Sequence, residues 1–120
     1  MIKISSLPKN DGFYMPSEYS QHDGTILIFP ERKGSWPHNA VPAVKTFTEI
    51  INAISEDEKV FLIVSENTEE KAKEIFSENE NVIIIKIPQD DAWARDTAPT
   101  FVIDGKSVRG INWRFNAWGG

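Results

Sequence analysis

The sequence contains no cysteine among its 120 residues. This stretch of chain therefore has no disulfide bond, no thiolate ligand for a metal and no cysteine nucleophile. It also lacks a run of about 18 apolar residues, which a membrane-spanning helix requires. The residues up to Lys9 lack the apolar segment of a secretory signal peptide, so we expect a cytoplasmic protein with no membrane partner.

The sequence also contains fewer positively charged than negatively charged residues. Lys and Arg number 13 against 18 Asp and Glu, which gives a net charge of −5. Because nucleic acids and anionic membrane surfaces select a basic protein face, we expect neither as a partner. The charge balance is compatible with a small cationic substrate.

Apolar runs alternate with helical periodicity over the first three quarters of the chain. Short continuous apolar runs predict buried strands at residues 25–29, 59–64 and 82–87. A helix is predicted from Pro42, because the missing N–H of proline is tolerated in a first turn. Four residues at helical spacing form the predicted apolar face of this helix, namely Ala43, Phe47, Ile50 and Ile54.

A second helix is predicted between the second and third strands. Asn67 is its predicted N-cap, Glu70 is the capping-box partner three residues later, and the helix is expected to end near Asn79. The order strand, helix, strand, helix, strand is typical of an α/β fold. We therefore expect a largely parallel sheet with helices packed against it.

The pattern changes after the third strand. Residues 99–103 and 107–115 flank Asp104-Gly105-Lys106, which predicts a β-hairpin with a tight Asp-Gly turn. Three aromatic residues crowd the last eight positions, namely Trp113, Phe115 and Trp118. Because chain termini are ordinarily polar and solvated, we expect the 120 residues to be a fragment of a larger protein.

The loop after the third strand combines an indole ring with carboxylates. Trp93 is followed three residues later by Asp96, and the loop begins past the carboxyl end of a strand, where ligands bind in α/β sheets. A guanidinium group stacks on aromatic faces and donates paired hydrogen bonds to a carboxylate. The spacing therefore favours a guanidinium site made by Trp93 and Asp96. Arg95 is expected to support the loop through an ion pair with Asp90 or Asp91.

Two other interpretations of this loop compete with a guanidinium site. Spacing alone is equally consistent with a solvated acidic turn. A Mg²⁺ site could use the oxygens of Asp90, Asp91 and Asp96. However, the calcium-loop pattern and a phosphate-binding glycine loop are both missing, and neither His22 nor His38 is nearby in sequence. We expect no metal here, and we expect both histidines to be surface or packing residues.

Five segments in order along the chain resemble the N-terminal motifs of agmatine deiminase, a family grouped with the bacterial-type peptidylarginine deiminases. They are Met15-Pro16-Ser17-Glu18-Tyr19, His22-Asp23-Gly24-Thr25, Phe29-Pro30-Glu31-Arg32, the stretch from Asp90 to Thr100, and Asn112-Trp113-Arg114-Phe115-Asn116-Ala117-Trp118-Gly119-Gly120. The segments cover almost the whole chain, and the last two are the most specific.

The resemblance implies an α/β pentein fold, which is a ring of ββαβ-type modules around a central pocket. Residues 1–120 would be an incomplete, N-terminal part of a single catalytic domain. It implies hydrolysis of agmatine to N-carbamoylputrescine and ammonia, a step of putrescine biosynthesis, with no cofactor. In this family a cysteine attacks the guanidinium carbon, a histidine is the general acid and base, and two carboxylates hold the guanidinium. The first of these carboxylates corresponds to Asp96, and the pocket tryptophan corresponds to Trp93.

The sequence departs from the family pattern because the cysteine, the catalytic histidine and the second carboxylate lie beyond residue 120. We therefore expect the 120 residues alone to be inactive, and we expect agmatine and either the remainder of the polypeptide or a second copy as partners. The peptidylarginine relatives hold a carboxylate with arginines just past the position of Asn116, where Ala117-Trp118-Gly119 stand here. This difference favours agmatine. The alternatives are a peptidylarginine deiminase, another guanidine-handling pentein, or a non-catalytic truncated module.

Overall fold

The computed structural model describes residues 3–116, which divide into two compact units. The larger unit is His22–Arg95, and the smaller unit combines the described residues before 22 with those from 96 onward. In the described part of the chain, no helix is long and apolar enough to cross a membrane. Ala117, Trp118 and Gly119, on which the expected preference for agmatine depends, lie outside the described residues.

The larger unit is built on a parallel sheet of three strands in the order β1-β2-β3. The strands are β1 (Gly24–Ile28), β2 (Lys59–Val64) and β3 (Val82–Lys86). In their register Leu27 lies beside Leu62, and Leu62 lies beside Ile84. The predicted strands and their parallel pairing are therefore confirmed, with ends that differ by one residue at most.

Two helices cover one face of this sheet, α1 (Val41–Ser55) and α2 (Glu69–Ile75). Val60, Leu62 and Val64 alternate along β2, are fully buried and form the middle of the core with residues of both helices. Burying one such aliphatic side chain stabilises the fold by about 1.5–3 kcal/mol. The prediction of an α/β fold is therefore confirmed for this unit.

The buried face of α1 lies one residue away from the predicted face. Val44 and Ile51 are buried, whereas Ile50 leaves 43% of its surface exposed. Ala43, Phe47 and Ile54 are only partly buried at the margin of the core. Neighbouring residues point about 100° apart around a helix, so the contact between α1 and β2 decides which side is buried.

The predicted cap of α2 was wrong. The helix starts after Thr68, which makes no side-chain capping bond, and the backbone N–H of Asn67 donates to Ser65 Oγ over 3.1 Å. The helix ends at Ile75, before Asn79. Asn79 instead donates from Nδ2 to Ser55 Oγ over 2.8 Å, which ties this turn to the end of α1.

Gly24 in the His22-Asp23-Gly24-Thr25 motif is explained by close packing. A Cβ atom at this position would lie 2.4 Å from the carbonyl oxygen of Lys59 on β2. Beside it, Glu58 accepts a hydrogen bond from Thr25 Oγ1 over 2.6 Å and pairs with His22 Nε2 at 2.5 Å. The side chain of His22 is 53% exposed, which agrees with the expected surface role.

The smaller unit contains the predicted hairpin in a shorter form. Strands β4 (Thr100–Ile103) and β5 (Val108–Ile111) pair antiparallel, with Ile103 opposite Val108. The connection is therefore a four-residue loop, one residue longer than the predicted connection Asp104-Gly105-Lys106. Asp104 Oδ1 accepts hydrogen bonds from the backbone N–H groups of Lys106 and Ser107. The side chain of Asp104 therefore stabilises the turn.

The adjacent isoleucines of α1 give a direct test of the observed helix face. We expect Ile51→Ala to cost about 2–5 kcal/mol of unfolding free energy, because it leaves a cavity against β2. The matched change Ile50→Ala should cost about 1 kcal/mol at most, because that side chain is largely exposed. Urea unfolding of both variants measures the difference, and equal losses would contradict the assignment of the buried face.

Candidate functional site

The candidate loop connects the larger unit to the smaller one. It follows β3 and leads into the short helix α3 (Ala94–Thr97). The division between the units falls between Arg95 and Asp96, so Trp93 belongs to the larger unit and Asp96 to the smaller. The pairing of Trp93 and Asp96 around one ligand therefore stays a prediction.

Trp93 is the last residue before α3 and leaves 55% of its surface exposed. An indole ring exposed to that extent presents an apolar π surface on which a flat cation can stack. Asp96 is exposed as well and lies in the single turn of α3. Each residue is therefore accessible in its own unit, as a substrate-binding residue must be.

Asp91 holds the loop through both of its carboxylate oxygens. Oδ2 lies 2.6 Å from Nη1 of Arg32, and Oδ1 accepts the backbone N–H of Ala92 over 2.9 Å. The Asp91 side chain is only 12% exposed, so this negative charge depends on its partners. The expected role of Asp91 as a loop support is confirmed, but its ion pair is with Arg32, a residue that sequence reasoning did not select for this role.

A second set of hydrogen bonds joins the ends of all three strands. Glu31, which follows β1, accepts a hydrogen bond from Ser65 Oγ over 2.6 Å and another from Gln89 Nε2. Ser65 comes directly after β2 and is buried, and Gln89 comes after β3. We call Glu31, Ser65 and Gln89 the strand-end network. It attaches the start of the candidate loop to the sheet.

Asp90 differs from its neighbour Asp91. It is exposed, and within residues 3–116 it forms no hydrogen bond or ion pair. The two adjacent aspartates are therefore not equivalent supports, as sequence reasoning had treated them. Asp90 supplies a natural control for experiments on the loop.

The three aspartates of the loop do not form a metal-binding cluster with other described residues. Among the described residues no three His, Cys, Asp or Glu side chains lie close enough together to hold a metal ion. The expectation of a site without a metal stays an expectation.

The smaller unit holds a guanidinium group of its own. Arg109 Nη1 lies 2.6 Å from Asp11 Oδ2, and the guanidinium carbon lies 3.8 Å from the centre of the Phe13 ring. The pKa of the Asp11 carboxyl is lowered, first by the hydrogen bond from Arg109 and then by that from Ser6. An aromatic face and a carboxylate together hold a flat cation here. This is the same pair of groups that the sequence predicts for Trp93 and Asp96.

Comparison with known proteins identifies the family. A family model of the Porphyromonas-type peptidyl-arginine deiminase matches residues 14–120. The chain therefore belongs to the Porphyromonas-type peptidyl-arginine deiminase family, and the resemblance inferred from the motifs is confirmed.

Individual relatives show how much of a longer protein the chain matches. Agmatine deiminase of Ectopseudomonas mendocina (strain ymp) is 42% identical over 121 residues, which cover 100% of this chain and 33% of that protein. A curated protein of Selenomonas ruminantium is 50% identical over 123 residues, with coverage of 100% and 33%. The chain therefore spans about a third of the length of these relatives.

Solved structures share the fold. The structure described as agmatine deiminase of Enterococcus faecalis catalysing its reaction matches with a TM-score of 0.89 at 33% identity, covering 98% of this chain and 32% of that one. Agmatine deiminase of C. jejuni matches with a TM-score of 0.76 at 25% identity, covering 90% and 32%. The mixed α/β architecture described above is therefore that of about a third of each of these structures.

The ion pair between Asp11 and Arg109 predicts a dependence of stability on pH. A carboxyl whose pKa is lowered by folding stabilises the protein above its unfolded pKa, about 3.9 for aspartate, and loses this effect as the pH falls through the folded value. We therefore expect Asp11→Asn to lower the urea midpoint at pH 7, with the difference from the wild type shrinking below about pH 4.

The control for this experiment is Asp23→Asn, because Asp23 is exposed and lies outside the ion pair. Its effect on the urea midpoint at pH 7 should be small. If Asp11→Asn gave a constant difference from pH 7 to pH 3, the ion pair would not be the cause.

Proposed function

We propose that the protein is an agmatine deiminase, which hydrolyses agmatine to N-carbamoylputrescine and ammonia on the way to putrescine. The observation that carries the proposal is the loop with Trp93 and Asp96, braced at the end of a parallel strand. It occurs in a chain 42% identical over its whole length to an agmatine deiminase. The cytoplasm stays the expected compartment, and agmatine the expected ligand.

The proposed reaction needs groups that these 120 residues do not contain. The chain holds no cysteine, and it spans about a third of the length of its relatives. In the proposal, residues 1–120 form the N-terminal part of a pentein ring. The thiol, the general acid and base and the second carboxylate come from the remainder of the same polypeptide. A homo-oligomer is an alternative source of the missing groups.

The proposed roles of Trp93 and Asp96 follow from the chemistry of a guanidinium group. Trp93 stacks on its flat face, and Asp96 accepts paired hydrogen bonds from its nitrogens. The carboxylate concentrates positive charge on those nitrogens and leaves the carbon open to attack by a thiolate. Its field also stabilises the tetrahedral species, from which one nitrogen leaves as ammonia after the general acid has protonated it. Water then attacks the carbon of the amidino-thioether, the C–S bond breaks, and N-carbamoylputrescine and the free thiolate are released.

A second candidate function is deimination of peptidylarginine, which the name of the family model favours. The two candidates differ in the carboxylate or peptide group that arginine carries and agmatine lacks. An assay that compares agmatine with an arginine-containing peptide separates them. Arg114 is exposed on the segment after β5 and is the nearest described cation to Asn116 in sequence.

Within this proposal, the two aspartates of the loop should respond differently to replacement. We expect Asp96→Ala in the full-length protein to lower kcat/KM for agmatine by about 100-fold or more, since it removes a charge that stabilises the transition state. Asp90→Ala should change it by about twofold at most, because Asp90 is exposed and forms no hydrogen bond or ion pair within residues 3–116. Ammonia release at several agmatine concentrations measures both. Equal losses would indicate a purely structural loop or a metal site.

The 120 residues alone should not catalyse the reaction, because the proposed mechanism needs a thiol and the chain has none. We expect no ammonia from agmatine above a blank without protein. The full-length protein assayed in parallel is the positive control. Ammonia production by the short chain at a rate proportional to its concentration would contradict a mechanism through cysteine.

A further inference from the structure

We infer that Arg32 is a positioning residue for the guanidinium site, and that it acts through Asp91. The inference rests on the proposed function. Arg32 and Asp91 are 59 residues apart in sequence, yet their side chains lie 2.6 Å apart. Asp91 stands two residues before Trp93, so whatever fixes Asp91 also limits where the indole ring can lie.

The segment that carries Trp93 contains little regular secondary structure. β3 ends at Lys86, and α3 consists of four residues, which is too short for a helix to be stable on its own. Its local support includes one bond from the N–H of Ala94 to the carbonyl of Ala92 over 3.1 Å. Contacts between this segment and the rest of the larger unit therefore contribute to the position of Trp93.

Two such contacts come from consecutive residues after β1. Glu31 accepts from Gln89 at the start of the loop, and Arg32 donates to Asp91 in its middle. Ser65 holds Glu31 from the end of β2. Glu31 and Arg32 thus hold the loop at two points, the first as an acceptor and the second as a donor. The strand-end network connects Glu31 to the sheet.

Arg32 matters more than an ordinary surface arginine because its partner is largely buried. The Arg32 side chain is 52% exposed, but that of Asp91 is only 12% exposed. Without Arg32, the Asp91 carboxylate keeps one bond, from the N–H of Ala92, and turns towards water to recover solvation. That movement displaces the residues that follow. A displacement of about 1 Å at a catalytic site can lower a rate by about 100-fold.

The test compares variants of the full-length protein. We expect Arg32→Ala to raise KM for agmatine at least about threefold and to lower kcat/KM about tenfold or more, because the displaced loop holds the guanidinium less well. Arg32→Lys should recover part of the loss, because it keeps the charge but not the planar fork. Lys33→Ala is the matched control, since Lys33 is the next cation along the chain and forms no hydrogen bond or ion pair within residues 3–116. It should match the wild type.

Asp91 provides the test of a shared mechanism. Asp91→Asn keeps an acceptor for the N–H of Ala92 but removes the charge. We expect the double variant Arg32→Ala/Asp91→Asn to lose no more kcat/KM than the worse single variant. Fully additive losses would overturn the inference. So would a fall in kcat with an unchanged KM and a lower thermal midpoint, because that pattern reflects only a smaller folded fraction.

Hydrogen exchange separates this inference from the proposed function. In Arg32→Ala we expect faster amide exchange at Ala92 and Trp93, with the amides of β2 unchanged. If the wild type releases no ammonia from agmatine but the loop exchanges faster in the variant, the proposed function fails and the positioning by Arg32 stands. Unchanged exchange at Ala92 and Trp93 overturns the positioning, whatever the activity.

Discussion

The parallel pairing of three strands is the constraint on which the rest of the larger unit depends. Each parallel connection returns the chain to the same end of the sheet, so the segments after β1, β2 and β3 meet at one edge. Glu31, Ser65 and Gln89 are far apart in sequence and become neighbours only because of this topology. The loop with Trp93 starts from that edge and takes its supports from it.

Apolar packing and polar side chains have different roles where the strands end. Phe29 and Pro30 are almost completely buried where β1 ends, so the backbone that carries Glu31 and Arg32 is anchored by apolar packing. The polar side chains that follow are then free to hold a neighbouring loop. Hydrophobic burial fixes the backbone after β1, and the hydrogen bonds and ion pair of Glu31 and Arg32 then position the candidate loop.

The three strands were predicted correctly because each is marked by a local run of apolar residues. The runs of Val, Ile, Leu and Phe marked all three strands, because buried parallel strands are apolar on both faces. The phase of α1 was missed by one residue, since Ile50 and Ile51 are equally apolar and only the contact with β2 distinguishes them. The hairpin was predicted, but the bonds of Asp104 that lengthen its turn were not.

The candidate site was predicted only in part for the same reason. Trp93 and Asp96 were found from their spacing and from the resemblance to a family. No local pattern marks an ion pair between Arg32 and Asp91, because the partners lie 59 residues apart. The shared end of parallel strands was the available signal, and it indicates which loops meet without indicating which side chains pair.

The pairing of Arg109 with Asp11 and Phe13 has a practical consequence. The guanidinium ion of guanidinium chloride is the same chemical group as the end of the Arg109 side chain. It is also the same group as the reacting end of the proposed substrate. Guanidinium chloride therefore brings a cation of the kind that the Phe13 ring and the Asp11 carboxylate hold, in addition to its denaturing effect. Urea is uncharged and brings no such cation, so it is the denaturant to use for the Asp11 variants.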